Sequence, residues 1–537
     1  MSETTRKSPV GRRVALGAAA GLSAALLWSA FPPAGESVNV AVALVPLLAV
    51  SRLCAPGCAA RVWFAGGFLF WVATLSWMPA IIKNNGPWPL VVLGWAGLAA
   101  FCAGYFALFG WLSARVWRRF GRWGLWAEPI LWAGCEWLRA TLFTGFAWNF
   151  LGTAVGAIPT LAAPARLGGV YLVSALVVAL NGVFATLLCR VLAQIRRERM
   201  PTGFRLTRTL ETALPLGAIL LVFSLARAWD PSAASETVPM RVALVQRNAP
   251  CVFSSSQRKT DPLRVYERLL DPAVAARPDL IVFGESAMAE FGRAESSAAR
   301  RAADHFIRQL GGGGLLAGGD WRREDGKVYN AAALYTGAQA EVQLYGKQHL
   351  VPFGEYIPFD KWITPLQKLS PIGVSLWPGE ANVFTLPLRE GRGTVSLSPL
   401  ICFEDTDPVL ARRAARLGAQ AIVLITNDSW FSDSAESVQH AAQAVLRAVE
   451  TGLPVIRTGN SGVTGVIAPS GRAVWLSDGA GRPLVDLSGT MVETVSLPVS
   501  PRLTPYARWG DLPLAVLFGL TAVLAWLRPV RRTAACA

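Results

Sequence analysis

Pro399-Leu-Ile-Cys-Phe-Glu-Asp405 closes the apolar run Val395–Phe403, a short hydrophobic segment that ends in a thiol followed by two carboxylates. Similar runs recur nearby. Val242–Val245 ends at Gln246, Leu280–Phe283 leads to Glu285, and Ala421–Ile425 leads to Asn427. Helical patterns lie between them, near 262–276, 296–310, 408–417 and 437–451. Strands alternating with helices predict an α/β domain. In such sheets the working groups gather at the carboxyl ends of the strands.

Outside this stretch the chain changes character. Its 537 residues exceed one ordinary core. A mean hydropathy of +0.38 and 21 tryptophans point to lipid as part of the solvent. A membrane span needs roughly 20 apolar residues. Spans are expected near 14–31, 38–51, 62–82, 89–114, 124–138, 168–189, 212–229 and 511–527. The expected organisation is therefore a seven-helix transmembrane part at 1–231, a water-facing domain at 232–505, and an eighth helix with a tail at 506–537. Arg12-Arg13 ahead of the first apolar run resembles a signal peptide, but further spans follow, so a retained anchor is expected.

The net charge of +16 could suggest nucleic acid, yet Lys/Arg and Asp/Glu balance between 232 and 504. The excess sits in the apolar remainder, which is a topology signal and not a nucleic-acid surface. One side collects Arg6, Lys7, Arg12, Arg13, Arg52 and Arg61, then Arg115, Arg118, Arg119 and Arg122. It also takes the arginines of 190–208 and 528–532, against only Lys83, Arg139, Arg166, Arg227 and Arg508 on the other. Both termini are thus expected in the cytoplasm and 232–505 on the far side, the periplasm of a bacterium.

Three segments of the α/β stretch carry chemistry. Glu285 follows a buried strand in Leu280-Ile-Val-Phe-Gly-Glu-Ser286. Lys347, His349 and Glu355 share the Pro- and Gly-rich loop Tyr345-Gly-Lys-Gln-His-Leu-Val-Pro-Phe-Gly-Glu-Tyr-Ile-Pro358. Cys402 and Glu404 end the strand quoted first. Alone, each has an ordinary reading: a helix cap, a packed loop, an inert buried cysteine. Together they supply a nucleophile, an amine and acids, the components of acyl transfer.

Other features point elsewhere or nowhere. Among the eight cysteines, Cys54-x3-Cys58 lacks a nearby Cys/His pair, so zinc is not expected. Only Cys251 and Cys402 fall in the polar stretch, and a disulfide between them is open. Three scattered histidines make a poor metal site, and His349 and His440 read as structural hydrogen-bonders. Gly311–Gly314 is not followed by Lys-Ser/Thr, so it is no phosphate loop. Trp430 and Phe431 are candidates for a substrate entrance or a loop anchor. Glu136 and Arg139, three apart on a predicted helix, share a face at the membrane interface and are expected to pair or to meet a headgroup.

The spaced Glu285, Lys347 and Cys402 resemble the Glu–Lys–Cys triad of the nitrilase superfamily. The longer strings Lys347-Gln-His-Leu-Val-Pro-Phe-Gly-Glu-Tyr356, Ile401-Cys-Phe-Glu404 and Thr426-Asn-Asp-Ser-Trp-Phe431 resemble the apolipoprotein N-acyltransferase family. So do Gln439-His440, Arg447-Ala-Val-Glu450, Arg457-Thr-Gly-Asn-Ser-Gly462, Glu136-Trp-Leu-Arg139 and Thr144-Gly-Phe-Ala-Trp148. The resemblance implies a nitrilase-like four-layer αββα sandwich inserted before the last span of an eight-helix transmembrane domain. It implies Glu285 as general base, Cys402 as nucleophile, and Lys347 with the Phe403 backbone N–H as oxyanion donors. Glu355 would orient Lys347, and Glu404 would support the loop.

The implied reaction moves an acyl chain from a membrane phospholipid, through a cysteine thioester, to the amine of a diacylated apolipoprotein. It needs no metal or soluble cofactor, and the partners are lipid-anchored, with no nucleic acid. Phe403, Phe283-Gly284 and Ser432 depart from the family pattern, where tyrosine, Trp-Pro and glycine are usual. The alternative with the same triad is a membrane-tethered carbon–nitrogen hydrolase, an amidase or nitrilase. A transporter is disfavoured by the few ionisable groups in the spans, and a non-catalytic lipoprotein-binding module by the intact triad.

Overall fold

The computed structural model of the chain describes residues 9–84, 86–195, 205–230, 236–250, 262–288, 290–291, 298–337, 341–358, 375–431, 434–479 and 481–527. Cys251, Ser432, and the basic residues at 6–7, 196–199 and 528–532 lie outside the described residues.

The first part is helical: α1 Pro9–Ala30, α2 Val45–Leu53, α3 Pro56–Thr74, α4 Ala80–Lys83, α5 Trp88–Phe120, α6 Gly124–Thr141, α7 Pro159–Ala162, α8 Ala165–Ile195 and α9 Arg205–Ala228. Among the described residues, five segments are long and apolar enough to cross a membrane by length and composition: Val10–Ala30, Pro56–Thr74, Trp88–Thr141, Ala165–Ile195 and Thr209–Ala228. Trp88–Thr141 contains both α5 and α6, joined by a tight turn at Gly121–Trp123.

The run expected to span at 38–51 does not form one helix. It is a 3-10 turn, Ser37–Ala41, followed by α2 with Pro46 in its first turn. Proline has no N–H to continue a helix from upstream. Nine residues reach only about 14 Å, well short of a hydrocarbon core of ~30 Å. The interrupted backbone is satisfied from α8: Asn181 donates to Val40 O at 2.8 Å and accepts from Leu44 N at 2.9 Å. Irregular backbone inside an apolar bundle persists only with such partners. The run expected at 62–82 likewise shifts, to Pro56–Thr74. The tryptophans fill this interior. Trp63 is fully buried, meets Phe106, Phe109 and Trp132 at 4.8–6.2 Å between centroids, and donates to Ser51 Oγ.

The α/β part has strands β1 Thr237–Gln246, β2 Leu280–Phe283, β3 Glu290–Phe291, β4 Gly314–Arg322, β5 Val328–Tyr335, β6 Gln343–Gly346, β7 Phe384–Pro387, β8 Thr394–Ile401, β9 Ala421–Thr426, β10 Val455–Gly459, β11 Gly465–Ile467, β12 Ala473–Trp475 and β13 Gly489–Pro498. Helices α10 Pro262–Val274, α11 Ala298–Gln309, α12 Pro408–Arg416 and α13 Glu436–Thr451 alternate with them; α14 Pro505–Trp509 and α15 Leu512–Leu527 follow. Two mixed sheets form, one in the order β13-β1-β2-β4-β5-β6 with β3 on β4, the other β12-β11-β10-β9-β8-β7.

The period-2 alternation of strands sorts the core. Val242 and Leu244 face the second sheet, together with Leu397, Val423 and Ile425. Ala243 and Val245 face away, onto Tyr266, Leu270 and Phe306 of α10 and α11. On the second sheet, Ile422 and Leu424 turn outward to Leu410 of α12 and Val445 of α13. The order is thus helix, sheet, sheet, helix. Strands β1, β2 and β4 run parallel, as do β8, β9 and β10. Their carboxyl ends deliver Glu285, Cys402, Asp428 and Asn460 to one place.

Helix α13 joins this part to the helical part. Gln439 Oε1 accepts from Trp77 Nε1 at 3.2 Å, Trp148 Nε1 at 2.9 Å and Asn149 Nδ2 at 3.2 Å. Its amide donates to Pro32 O at 2.8 Å. One buried glutamine therefore satisfies groups from three separate segments of the helical part.

Candidate active site

Glu285 is the second residue after β2 and is 7% exposed. The approach to it is narrow: a Cβ on Gly284 would lie 2.3 Å from Asn460 N and 2.7 Å from Gly459 C. That contact with β10 explains the departure at Gly284, since any residue with a Cβ, proline included, would collide there. Lys347 directly follows β6, its N–H donating to Asn330 O at 2.8 Å, and is 1% exposed. Cys402 starts the 3-10 turn Cys402–Thr406 after β8 with φ of +53°, a conformation non-glycine residues rarely adopt. Its residue is partly accessible, and its thiol is free.

A buried polar network joins these groups. Lys347 Nζ is 2.8 Å from Glu355 Oε1 and 3.9 Å from Glu285 Oε1. Asn330 Nδ2 donates to Glu285 Oε1 at 2.6 Å and to Glu355 Oε1 at 2.8 Å. The second oxygen of Glu355 accepts from Val351 N, closing the lysine loop on itself. Burial pushes the Glu285 carboxyl up, Lys347 opposes that, and the charges of Glu355 and Asp428 add to it. Burial alone would lower Lys347, but Glu355, Cys402 and Glu285 outweigh it and hold the ammonium. Burial also raises the Cys402 thiol, reinforced by Glu285 and opposed by Lys347. Burial and the neighbouring charges thus favour a protonated thiol beside a carboxyl of raised proton affinity and a fixed cation.

Glu404 is fully buried and accepts four hydrogen bonds: from Ile401 N and Tyr345 Oη on one oxygen, from Gln348 N and His349 N on the other. It ties the lysine loop to the Cys402–Thr406 turn. Phe403 lies near-parallel to Trp148 (6.3 Å, 10°) and Phe146 (6.3 Å, 22°), with His349 edge-on at 5.5 Å. The ring after Cys402 is thus packed on the helical part, a use that needs no phenolic hydroxyl.

The Trp430 carbonyl and the Phe431 ring face the helical part as well. Asn84 donates to Trp430 O at 3.0 Å, and Phe431 meets Trp77 at 4.8 Å. Glu136 and Arg139 are buried, but not in a mutual ion pair within 4 Å among the described residues. Arg139 donates to Phe146 O at 2.6 Å and Trp148 O at 2.8 Å, with its guanidinium over Trp71 and Phe150. Glu136 Oε1 accepts from Leu151 N at 2.7 Å. The expected pair is replaced by two separate holds on the 146–151 loop, because that loop offers carbonyls to the cation and an N–H to the anion. That loop carries the aromatic rings beneath Phe403.

Sequence reasoning missed Asn330, and it named Gln439 only as part of the resemblance, without a role. A polar Asn inside the apolar β5 is a signal, since a buried amide must find partners. Nothing in the sequence placed Gln439 against the helical part. Asp428, Glu436 and His440 present oxygen and nitrogen atoms within 4.8 Å of one another. Arg457 already donates to Asp428 Oδ2 at 3.1 Å, so this is an ion-pair cluster with its cation supplied by the protein.

Both parts of the chain are similar to known proteins. The family profile described as Apolipoprotein N-acyltransferase N-terminal domain matches residues 23–183, and that described as Carbon-nitrogen hydrolase matches 241–488. The chain is 32% identical over 463 residues to an apolipoprotein N-acyltransferase of Geobacter metallireducens, covering 84% of each chain. It is 31% identical to one of Brucella suis, over 77% of this chain and 76% of the relative, and 28% identical to one of Gloeobacter violaceus, over 98% and 96%. Among solved structures, an amidase from Nesterenkonia sp. is 22% identical, covering 51% of this chain and 94% of that chain at a TM-score of 0.35. With a transmembrane-type helical part, a carbon–nitrogen hydrolase part and that level of identity along most of its length, the chain belongs to the apolipoprotein N-acyltransferase family.

Proposed function

We propose that this acyltransferase works by ping-pong transfer through Cys402. Glu285 takes the thiol proton, and the sulfur attacks the ester carbonyl of a membrane phospholipid. Lys347 and the N–H of Phe403 stabilise the oxyanion. The C–O bond breaks, the proton passes from Glu285 to the leaving alkoxide, and a lysophospholipid departs. The α-amine of a diacylglyceryl-cysteine apolipoprotein then attacks the thioester carbonyl, Glu285 takes the amine proton, the C–S bond breaks as the amide forms, and that proton returns to the Cys402 thiolate. The observation that carries this reading is the buried constellation itself: a thiol in a strained turn, a carboxyl 3.9 Å from an ammonium, and Glu355 holding that ammonium at 2.8 Å. Because both substrates are lipids, a catalytic part packed on apolar helices suits them. Detergent-solubilised protein incubated with labelled phospholipid and a diacylated lipopeptide should yield N-acylated lipopeptide. Release of ammonia from small amides without lipopeptide acylation would favour the tethered hydrolase instead.

The same reading places the protein in a bacterial inner membrane with residues 232–505 in the periplasm, and it counts eight passages by taking the broken segment Ser37–Leu53 as a whole, and Leu512–Trp526, with the longer helices. The basic loops support it, because positive charge is retained on the cytoplasmic side. A phosphatase fusion at Ser235 should be active and a β-galactosidase fusion there inactive; the reverse pattern overturns the orientation.

A further inference from the structure

His440, on α13, is 1% exposed and sits directly behind the nucleophile turn. Its Nδ1 is 2.9 Å from Asp428 Oδ1, and its Nε2 is 2.9 Å from Asp405 Oδ1 and 3.3 Å from the carbonyl oxygen of Cys402 itself. Glu436 Oε1 stands 3.7 Å from Nδ1, and the Trp148 ring from the helical part covers the imidazole at 5.6 Å. Both nitrogens face accepting oxygens, so both must donate, which only the imidazolium can do. The second cation is Arg457 of β10, which donates to Asp405 Oδ2 at 2.9 Å, Asp428 Oδ2 at 3.1 Å and Val463 O at 3.0 Å. Two cations thus oppose the two carboxylates of Asp405 and Asp428, and burial pushes the Glu436 carboxyl well above the usual carboxylate range. Burial alone would lower His440; Asp405 and Asp428 outweigh it and hold the ring at about 10.

This cluster reaches the reacting groups. Asp428 accepts from Thr426 Oγ1 at 2.8 Å, and Thr426 O accepts from Glu285 N at 3.2 Å. The charge of Asp428 raises both Glu285 and Cys402. We infer that His440 is a positioning residue for Cys402: as a doubly donating imidazolium it anchors the nucleophile's own carbonyl in its left-handed turn and offsets the carboxylates of Asp405 and Asp428 behind the thiol. This rests on Cys402 being the nucleophile.

The test is the rate of Cys402 alkylation by iodoacetamide against pH, read by peptide mass spectrometry on the detergent-solubilised full chain. His440→Gln leaves one carboxylate uncompensated, so the midpoint should move up by about one pH unit, with alkylation near neutrality slowed about tenfold. Asp428→Asn leaves the cluster with an extra positive charge and should move the midpoint down. The double variant restores the balance and should return towards the parent. A merely structural contact would push every variant the same way, with the double the worst, and that pattern overturns the inference. So does an unchanged or lowered midpoint in His440→Gln. If His440→Gln does not fold, Asp428→Asn decides by its sign: a lower midpoint supports the inference, an equal or higher one ends it. Cys402→Ala separates the two levels. Should it retain acyl transfer, the nucleophile assignment fails; should it be inactive while His440→Gln keeps the parent profile, only the role of His440 fails.

Discussion

Cys402→Ala is expected to abolish acyl transfer together with any covalent acyl-protein, a loss on the order of 10⁴ or more in rate, as for a nucleophile removed from a preorganised site. The substitution removes one sulfur from a partly accessible position and leaves the buried Glu285, Lys347 and Glu355 network intact. Folding should therefore be preserved. The turn needs checking, since residue 402 holds φ of +53°, and alanine is no better suited to it than cysteine. An unchanged melting profile would show that the loss is chemical. Cys402→Ser keeps the shape but supplies a hydroxyl that is a far weaker nucleophile, so acylation should be slow and the ester persistent. Recovery of labelled lipid on the Cys402→Ala protein would move the nucleophile elsewhere, with Cys251 the next candidate.

Lys347→Met and Glu285→Gln should both be severe, in different ways. Methionine keeps most of the apolar stem of Lys347 and removes the charge and the donor. Losing one oxyanion donor typically lowers rate by about 10²–10³. Here the loss should be larger, because Glu355 and Glu285 are left buried beside each other without their cation, a change that costs about 3–5 kcal/mol in comparable buried pairs. The Cys402 thiol pKa should rise further, since the Lys347 charge lowers it. Both acylation and aminolysis should slow.

Glu285→Gln retains shape but cannot take a proton. With the parent, activity should grow as pH climbs through the raised pKa of the Glu285 carboxyl, because the base works only when ionised, and should be lost below it. With the variant that limb should vanish, and activity should return only at alkaline pH, where the thiol ionises unaided. Single-turnover acylation from labelled phospholipid, run beside thiol alkylation across pH, reads both effects. If Lys347→Met keeps the parent's alkylation profile and acylation rate, the Glu–Lys–Cys assignment is wrong.

Much of this was legible in the sequence because the signals are local. The runs Leu280–Phe283 and Ala421–Ile425 became β2 and β9 nearly residue for residue, and the helical patterns near 408–417 and 437–451 became α12 and α13. A strand buried on both faces has to be a short continuous apolar run, so its ends show in one dimension. The polar residue closing each run marks where the sheet opens, which singled out the segments holding Glu285 and Cys402, whereas the roles of Glu285, Lys347 and Cys402 came from the resemblance of the strings around them. The helical part was read less faithfully. Hydropathy sees the apolar run at 38–51 but not that Pro46 divides it, nor that Asn181, far along the chain, caps both broken ends.

Tertiary structure alone decided how the named groups meet. Glu136 and Arg139 share a helical face, yet each reaches across to the 146–151 loop, because backbone groups there lie closer and better oriented than the neighbouring side chain. Asn330 bridges Glu285 and Glu355, and Gln439 joins α13 to three segments of the helical part; these depend on strand register and on docking of distant elements. The sequence by itself determined which residues have the right chemistry and which segments become strands, since both are properties of short stretches. Which of those residues share one water-poor cluster, and so change each other's charge, was decided by long-range packing: burial and a few ångströms of separation set electrostatic coupling, and neither can be read from spacing along the chain.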